Sequence, residues 1–404
     1  MKRTVLAVIT AISLSLITAL PSNGAIKAGA VCKKAGLKSF DSGRQYTCIK
    51  QGKKFVWSKG VLPKVAPAKA PAPVATPSTQ PTPTPAPAPT YTKYELTKLK
   101  ALENIRLATE IDGSKNVKLN YRISSNVPQE LTDLYTAQVI KASKLYGTFF
   151  KTPETVHVYV YTEKDVDFLR TAPYPRVNEI LTDVNRWFVD WEKGSMQEHV
   201  LGGWAWYHEY AGKFEGHTGV FVYSKGTIAS QRKYAIQVMP HEYLHVIQDY
   251  FIKRSPKWTS MNSYDVLFPP IFREGSANTI SFALATESPK AYLDLYADFI
   301  REKKSQSDVP LFATLTSEAA VVSALKNTRT RNSSPDAHES SYSIGALVFE
   351  WLIAEYGFDA YRKLIENQQI GSSFADNLKA SLGMTEEELY NGAAQHVLAA
   401  FTTG

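Results

Sequence analysis

Between Leu62 and Thr92 the chain places ten prolines among alanine, threonine, lysine and valine, and no core can run through that stretch. Proline fixes φ near about −65° and lacks an N–H, so such a run favours extended polyproline II over helix or sheet. Residues 61–92 are read as a spacer that, at about 3.1 Å per residue, holds its two flanks apart. A short N-terminal piece and a long region, residues 93–404, must therefore fold separately.

The N-terminal piece begins as an export signal. Lys2 and Arg3 precede an apolar run from Val5 to Leu20, and small residues follow at Pro21 to Ala25, so residues 1–25 are expected to be a signal peptide. Cleavage after Ala25 fits, with Ala28-Gly29-Ala30 as a second option. The run is short for a permanent span, and no later stretch is apolar enough for one. The chain is thus expected to be secreted or held at the cell surface, with no transmembrane segment after signal cleavage. In that oxidising setting the two cysteines, Cys32 and Cys48, are expected to pair and staple a module over 26–60 that is too small for a core of its own. Tyr46–Lys50 and Lys54–Trp57 alternate like two strands about the turn Gln51-Gly52-Lys53.

Charge is unevenly divided. The formal net charge is +8, yet residues 26–60 alone hold nine Lys or Arg against one Asp, which leaves 93–404 mildly acidic. Nucleic acid does not fit an exported chain of this kind. A basic module on a stiff stalk points to an anionic cell-envelope polymer or lipid surface, with a solvated lysine-rich surface as the plainer reading.

The chemistry concentrates in His241-Glu242-Tyr243-Leu244-His245. Side chains at i and i+4 share one helix face, so both imidazoles can reach one metal ion, and Glu242 lies close enough to take a proton from a water there. Leu244, Ile247 and Phe251 continue a helical apolar period. Pro240 sits either in the first turn or, if the helix starts near Gln231, inside it with a kink. A third ligand is needed, and Glu274 is the candidate: Phe272 to Asn278 opens a second apolar helix whose Gly275 and Ala277 permit close approach to the first. Asn278, one turn on, can orient His241 through its other ring nitrogen. Read alone, Glu274 is equally a helix-start carboxylate stabilised by the dipole.

HEYLH followed by E-G-x-A-N resembles the gluzincins, zinc peptidases with HExxH and a glutamate on a later helix. The spacing from His245 to Glu274 is longer than in thermolysin-like and aminopeptidase-like members and is more similar to the peptidase MA-like families. The resemblance implies one Zn2+ per chain on His241, His245 and Glu274, with Glu242 as base. It implies a zincin-like α+β fold: a small mixed or antiparallel sheet, an active-site helix, and a mainly helical C-terminal part. Asn116–Ser124, Pro128–Tyr146 and Thr155–Tyr161 read as strand, helix and strand. Thr218–Ser224 reads as a further strand, whose residues Val220, Phe221, Val222 and Tyr223 would be the family's substrate-pairing edge. Gly202–Tyr210 would be its hairpin partner, with the turn at Gly212–Gly216. A helix from Ser341 to Tyr356 closed by Gly357, and a capping box at Thr385 and Glu388, follow. Tyr342 is the position onto which the family's oxyanion tyrosine carries, with His338, on a polar loop, as a rival donor. Residues 31–60 are similar to short Cys-Lys-rich modules of secreted actinobacterial proteins.

Of the remaining histidines, His157 reads as packed in a strand. His199, His208 and His217 are either ordinary residues or cleft lining, and His396 is expected at the surface. Three functions stand at this level: a secreted zinc peptidase acting on peptide or protein, a catalytically silent envelope-binding protein on the same scaffold, and a zinc hydrolase of non-peptide substrates.

Overall fold

A computed structural model describes residues 29–32, 35, 38–41, 44–52, 54–59, 90–149, 151–165, 202–210, 213–259, 263–305, 310–327, 335–369 and 373–402. The signal-peptide reading, most of the spacer and His199 lie outside them. The chain divides into two compact units, Met1–Ala86 and Pro87–Gly404.

In the first unit β1 (Lys38–Asp41), β2 (Arg44–Gln51) and β3 (Lys54–Trp57) form an antiparallel sheet in that order, one strand more than the alternation suggested. Cys32 and Cys48 are bonded and buried. Closing a loop of this size contributes about 3 kcal/mol, mainly by restricting the unfolded chain.

The second unit opens with α1 (Lys93–Glu110), started by a Thr92–Glu95 capping box. β4 (Lys118–Ile123), α2 (Gln129–Tyr146) and β5 (Thr155–Tyr161) then make a parallel strand–helix–strand unit. β6 (Gly202–Tyr210) and β7 (Lys213–Phe221) form a hairpin, and the sheet order is β4-β5-β7-β6. This placement corrects two expectations. Lys213 to Gly216, expected in the turn, lie in the strand, and β7 is flanked on both sides, so Val220 and Phe221 lie inside the sheet while Val222 and Tyr223 lie beyond the strand. The edge is β6. Local alternation cannot reveal which strand of a hairpin is paired again by a third, because that is decided by a distant segment.

The remaining longer elements are helical: α3 (Ile228–Ile252), α4 (Pro270–Ala285), α5 (Pro289–Lys304), α6 (Glu318–Asn327), α7 (Pro335–Tyr342), α8 (Ile344–Tyr356), α9 (Phe358–Glu366), α10 (Phe374–Leu382) and α11 (Glu386–Thr402). The whole is a mixed α+β chain with small sheets and a mainly helical C-terminal part. Every residue of α4 is buried, and α8 is nearly so, which makes these two helices the centre of the core. They meet at two glycines: a Cβ on Gly275 would stand 2.2 Å from the Gly345 carbonyl carbon. Gly275 therefore serves the approach of α4 to α8, not of α4 to α3 as its position beside Glu274 suggested. His338 lies on α7 by backbone rather than on a loop, and Ser343 separates α7 from α8, so the helix to Tyr356 starts later than read. Gly357 closes it with φ of 80°, and Thr385 and Glu388 make the expected capping box. Among the described residues no helix is long and apolar enough to cross a membrane.

Candidate metal centre

The helix that carries HEYLH is long: α3 starts at Ile228, so Pro240 lies inside it and removes one rung of the backbone ladder just before His241. The Pro240 carbonyl accepts a bond from the Tyr146 hydroxyl of α2 at 3.2 Å. Tyr243, Leu244, Val246 and Ile247 are fully buried and hold α3 against the sheet and α2. That fixes the opposite side of the turn, with His241 and His245, toward α4.

Three atoms converge there. His245 Nε2 is 3.1 Å from His241 Nε2 and 3.0 Å from Glu274 Oε2, and His241 Nε2 is 3.3 Å from the same oxygen. Outer partners decide what these atoms are. Asn278 donates its amide N–H to the Tyr342 carbonyl at 2.9 Å, which turns its oxygen to His241 Nδ1 at 2.8 Å. Gln248 donates to the Arg273 carbonyl and to Ser276 Oγ, which turns its oxygen to His245 Nδ1 at 2.7 Å. Each Nδ1 therefore carries a proton and each neutral ring presents a lone pair at Nε2. Two imidazole lone pairs and a carboxylate oxygen facing one point repel unless a cation or an added proton lies between them. The spacing suits an ion with ligand bonds of about 2.0–2.2 Å. These three residues can hold a metal ion.

Electrostatics agree. Burial alone would raise the Glu274 carboxyl, but His245 and Arg273 outweigh it and hold it well below the usual carboxylate range. Arg273 donates to the other oxygen, Oε1, at 2.6 Å, leaving Oε2 for the ion. Burial lowers His245, but Glu274 raises it further, so without a cation this ring gathers the proton that a metal displaces. Glu242 is half-buried beside the ligands, and burial lifts its carboxyl above the ordinary value against the pull of His241 and His245. Gly203 of β6 lies against it: a Cβ there would stand 2.5 Å from Glu242 Oε1.

The structure thus brings together His241, Glu242, His245, Glu274 and Asn278. Tyr342 joins them, its ring stacked on His241 at 6.0 Å between centroids. The side chain of His338 lies outside what is described. Val220 to Tyr223 do not form the edge, as noted. His217 is not cleft lining either: it is fully buried on β7 and stacks on His157 at 4.7 Å. His396 is buried, not at the surface, and its Nε2 is 2.8 Å from Glu350. Gln248, Arg273 and Gly203 were missed. Gln248 was open to discovery, because i+3 from His245 is the same helix face. Arg273 adjoins the ligand it neutralises, but nothing local marks its direction. Gly203 is far off in sequence and carried no signal. No family model, curated protein or solved structure matches the chain.

Proposed function

We propose that this chain is an exported zinc peptidase of gluzincin type with a zincin-like fold, cutting peptide bonds with His241, His245 and Glu274 as ligands and Glu242 as general base. What carries the reading is the meeting of three lone pairs, tautomers fixed from behind, with a carboxylate that is no ligand beside them. Zinc bound there supplies a Lewis acid that polarises a carbonyl and acidifies water.

The residues of the chain do the rest. Glu242, with its carboxyl raised above the ordinary value by burial, takes the proton of the attacking water and returns it to the leaving amine. Gly203 lets β6 pass against Glu242, so an extended peptide added to the β6 edge would lie alongside the base; this strand takes over the substrate role first read at Val220 to Tyr223. Tyr342, next to His241, is the proposed oxyanion donor. The basic module is proposed to hold the enzyme at an anionic envelope surface.

The deciding experiment compares untagged wild type and Glu242→Gln for zinc content and for cleavage of a peptide library, with a chelator control. The variant should keep its zinc and lose cleavage by about 100- to 10,000-fold. Zinc retained by wild type without any cleavage would favour a binding protein. Zinc uptake unchanged in His245→Ala would end the reading.

A further inference from the structure

The sheet carries a second set of donors on the face turned away from α3. Val156, Val158, Val160 and Val220 are fully buried in the core, and a Cβ on Gly216 would meet Val246 of α3 at 2.3 Å. Side chains alternate along a strand, so His157 on β5 and Glu215 and His217 on β7 project from the other face. The register sets His157 opposite His217 and Thr155 opposite Glu215. The two imidazoles lie 4.7 Å apart and 9° from parallel, and His157 Nε2 is 3.3 Å from Glu215 Oε2. One ligand atom from each of the three residues lies within 4.8 Å of the others.

An ion pair accounts for His157 and Glu215 but not for His217, which lies in the same three-residue cluster. Two imidazoles and a carboxylate gathered in this way are a donor set for a metal ion. His217 has an outer partner as well: the Tyr159 hydroxyl is 3.2 Å from Nδ1, so Nδ1–H can donate to that oxygen while Nε2 coordinates. There is also an approach. His217 is closed off, but the Glu215 side chain is 36% exposed, so a hydrated ion can reach the carboxylate first.

We propose that His157, Glu215 and His217 form a second binding site, for a divalent transition-metal ion of the zinc class, clamping β5 to β7. Two imidazoles and one carboxylate favour such an ion over calcium or magnesium, which take oxygen ligands. The site is separate from His241, His245 and Glu274, because the valine layer of the sheet and α3 lie between. Its ion acts on stability, not on hydrolysis, and it does not depend on the peptidase reading.

The test titrates metal-stripped, untagged full chain with Co2+ and then Zn2+, following visible absorption, bound metal and the urea midpoint. Wild type should take two equivalents, Glu215→Gln one, and His245→Ala with Glu274→Gln one. Glu215 is part-exposed and the change is conservative, so the fold should hold, and the second equivalent should weaken more than about 10-fold with the first unchanged. Loss of that equivalent should also remove part of the metal-induced rise in the urea midpoint. A single equivalent in wild type that survives Glu215→Gln would overturn the proposal, as would a second equivalent indifferent to both Glu215→Gln and His217→Ala. If the His245→Ala, Glu274→Gln chain fails to fold, wild type against Glu215→Gln decides alone.

Discussion

Glu274 on α4 and Glu350 on α8 are buried carboxylates on two helices that touch at Gly275 and Gly345, and their surroundings are opposite. Glu350 meets donors: Lys98 Nζ at 3.0 Å, His396 Nε2 at 2.8 Å and the Tyr292 hydroxyl at 2.7 Å. Burial would raise its carboxyl, but Lys98 and His396 outweigh that and lower it. Lys98 in turn lies over the Tyr296 ring at 3.3 Å. Here every carboxylate bond is answered by a proton. Around Glu274 one oxygen is answered by Arg273 and the other faces two rings whose protons are directed elsewhere. Closed complementarity holds a fold together, whereas converging lone pairs are useful only to something that is not protein. The same residue type, equally buried, can serve either end, so it is the partners' tautomers and not burial that mark a site.

If the contrast is sound, the two clusters fail in different ways. Glu350→Gln leaves a buried ammonium without its anion and should destabilise the chain by about 3–5 kcal/mol, read from urea unfolding, with metal content unchanged. A matching fall in metal content would mean that the clusters are not independent. At the metal centre Gly203→Ala, whose new Cβ would displace Glu242, should lower turnover without loss of metal. A base moved by about 1 Å lowers hydrolysis by roughly 100-fold. Activity equal to wild type would show that β6 does not position the base. Asn278→Ala frees the proton of His241 Nδ1 to move and should weaken zinc by about 10–100-fold in chelator competition. An unchanged affinity would remove the argument from fixed tautomers.

What could be read beforehand follows the same division. His241, His245 and Asn278 were legible because helical spacing is local: residues three or four apart share a face whatever the rest of the chain does. Glu274 needed only the guess that the next apolar helix packs on the first. The strand–helix–strand unit from β4 to β5 was legible for a similar reason, since alternation and period lie within each element. The edge strand was not, because whether β7 is covered depends on β5, more than fifty residues earlier. The Glu350 cluster was invisible for a stronger version of that reason. Its members come from α1, α5, α8 and α11, and a histidine on the last helix looks like any surface residue until Glu350 is placed beside it. The pairing of His157 with His217 likewise appears only when the register of β5 and β7 is known.

The smallest effect bears on whether the Glu350 carboxylate is as fully answered as its geometry implies. Burial lowers Lys98 from 10.5 to about 8, against the pull of Glu350. In the unfolded chain the amine keeps its proton to the higher value, so between the two the unfolded state binds more protons. Stability must then rise with pH across that window: the cost of burying the ammonium is fully present below about 8 and is relieved as pH climbs toward 10.5. Other groups titrate there too, so the informative quantity is the urea-derived stability of wild type minus that of Lys98→Met. It should shift in favour of wild type by about 1 kcal/mol between roughly pH 7 and pH 9. A flat difference would mean that Glu350 holds the ammonium charged throughout and that the pair is tighter than burial allows. A shift of the expected sign would show that even a closed cluster is under tension at Lys98, with Glu350 kept charged by His396 and Tyr292 as the lysine lets go.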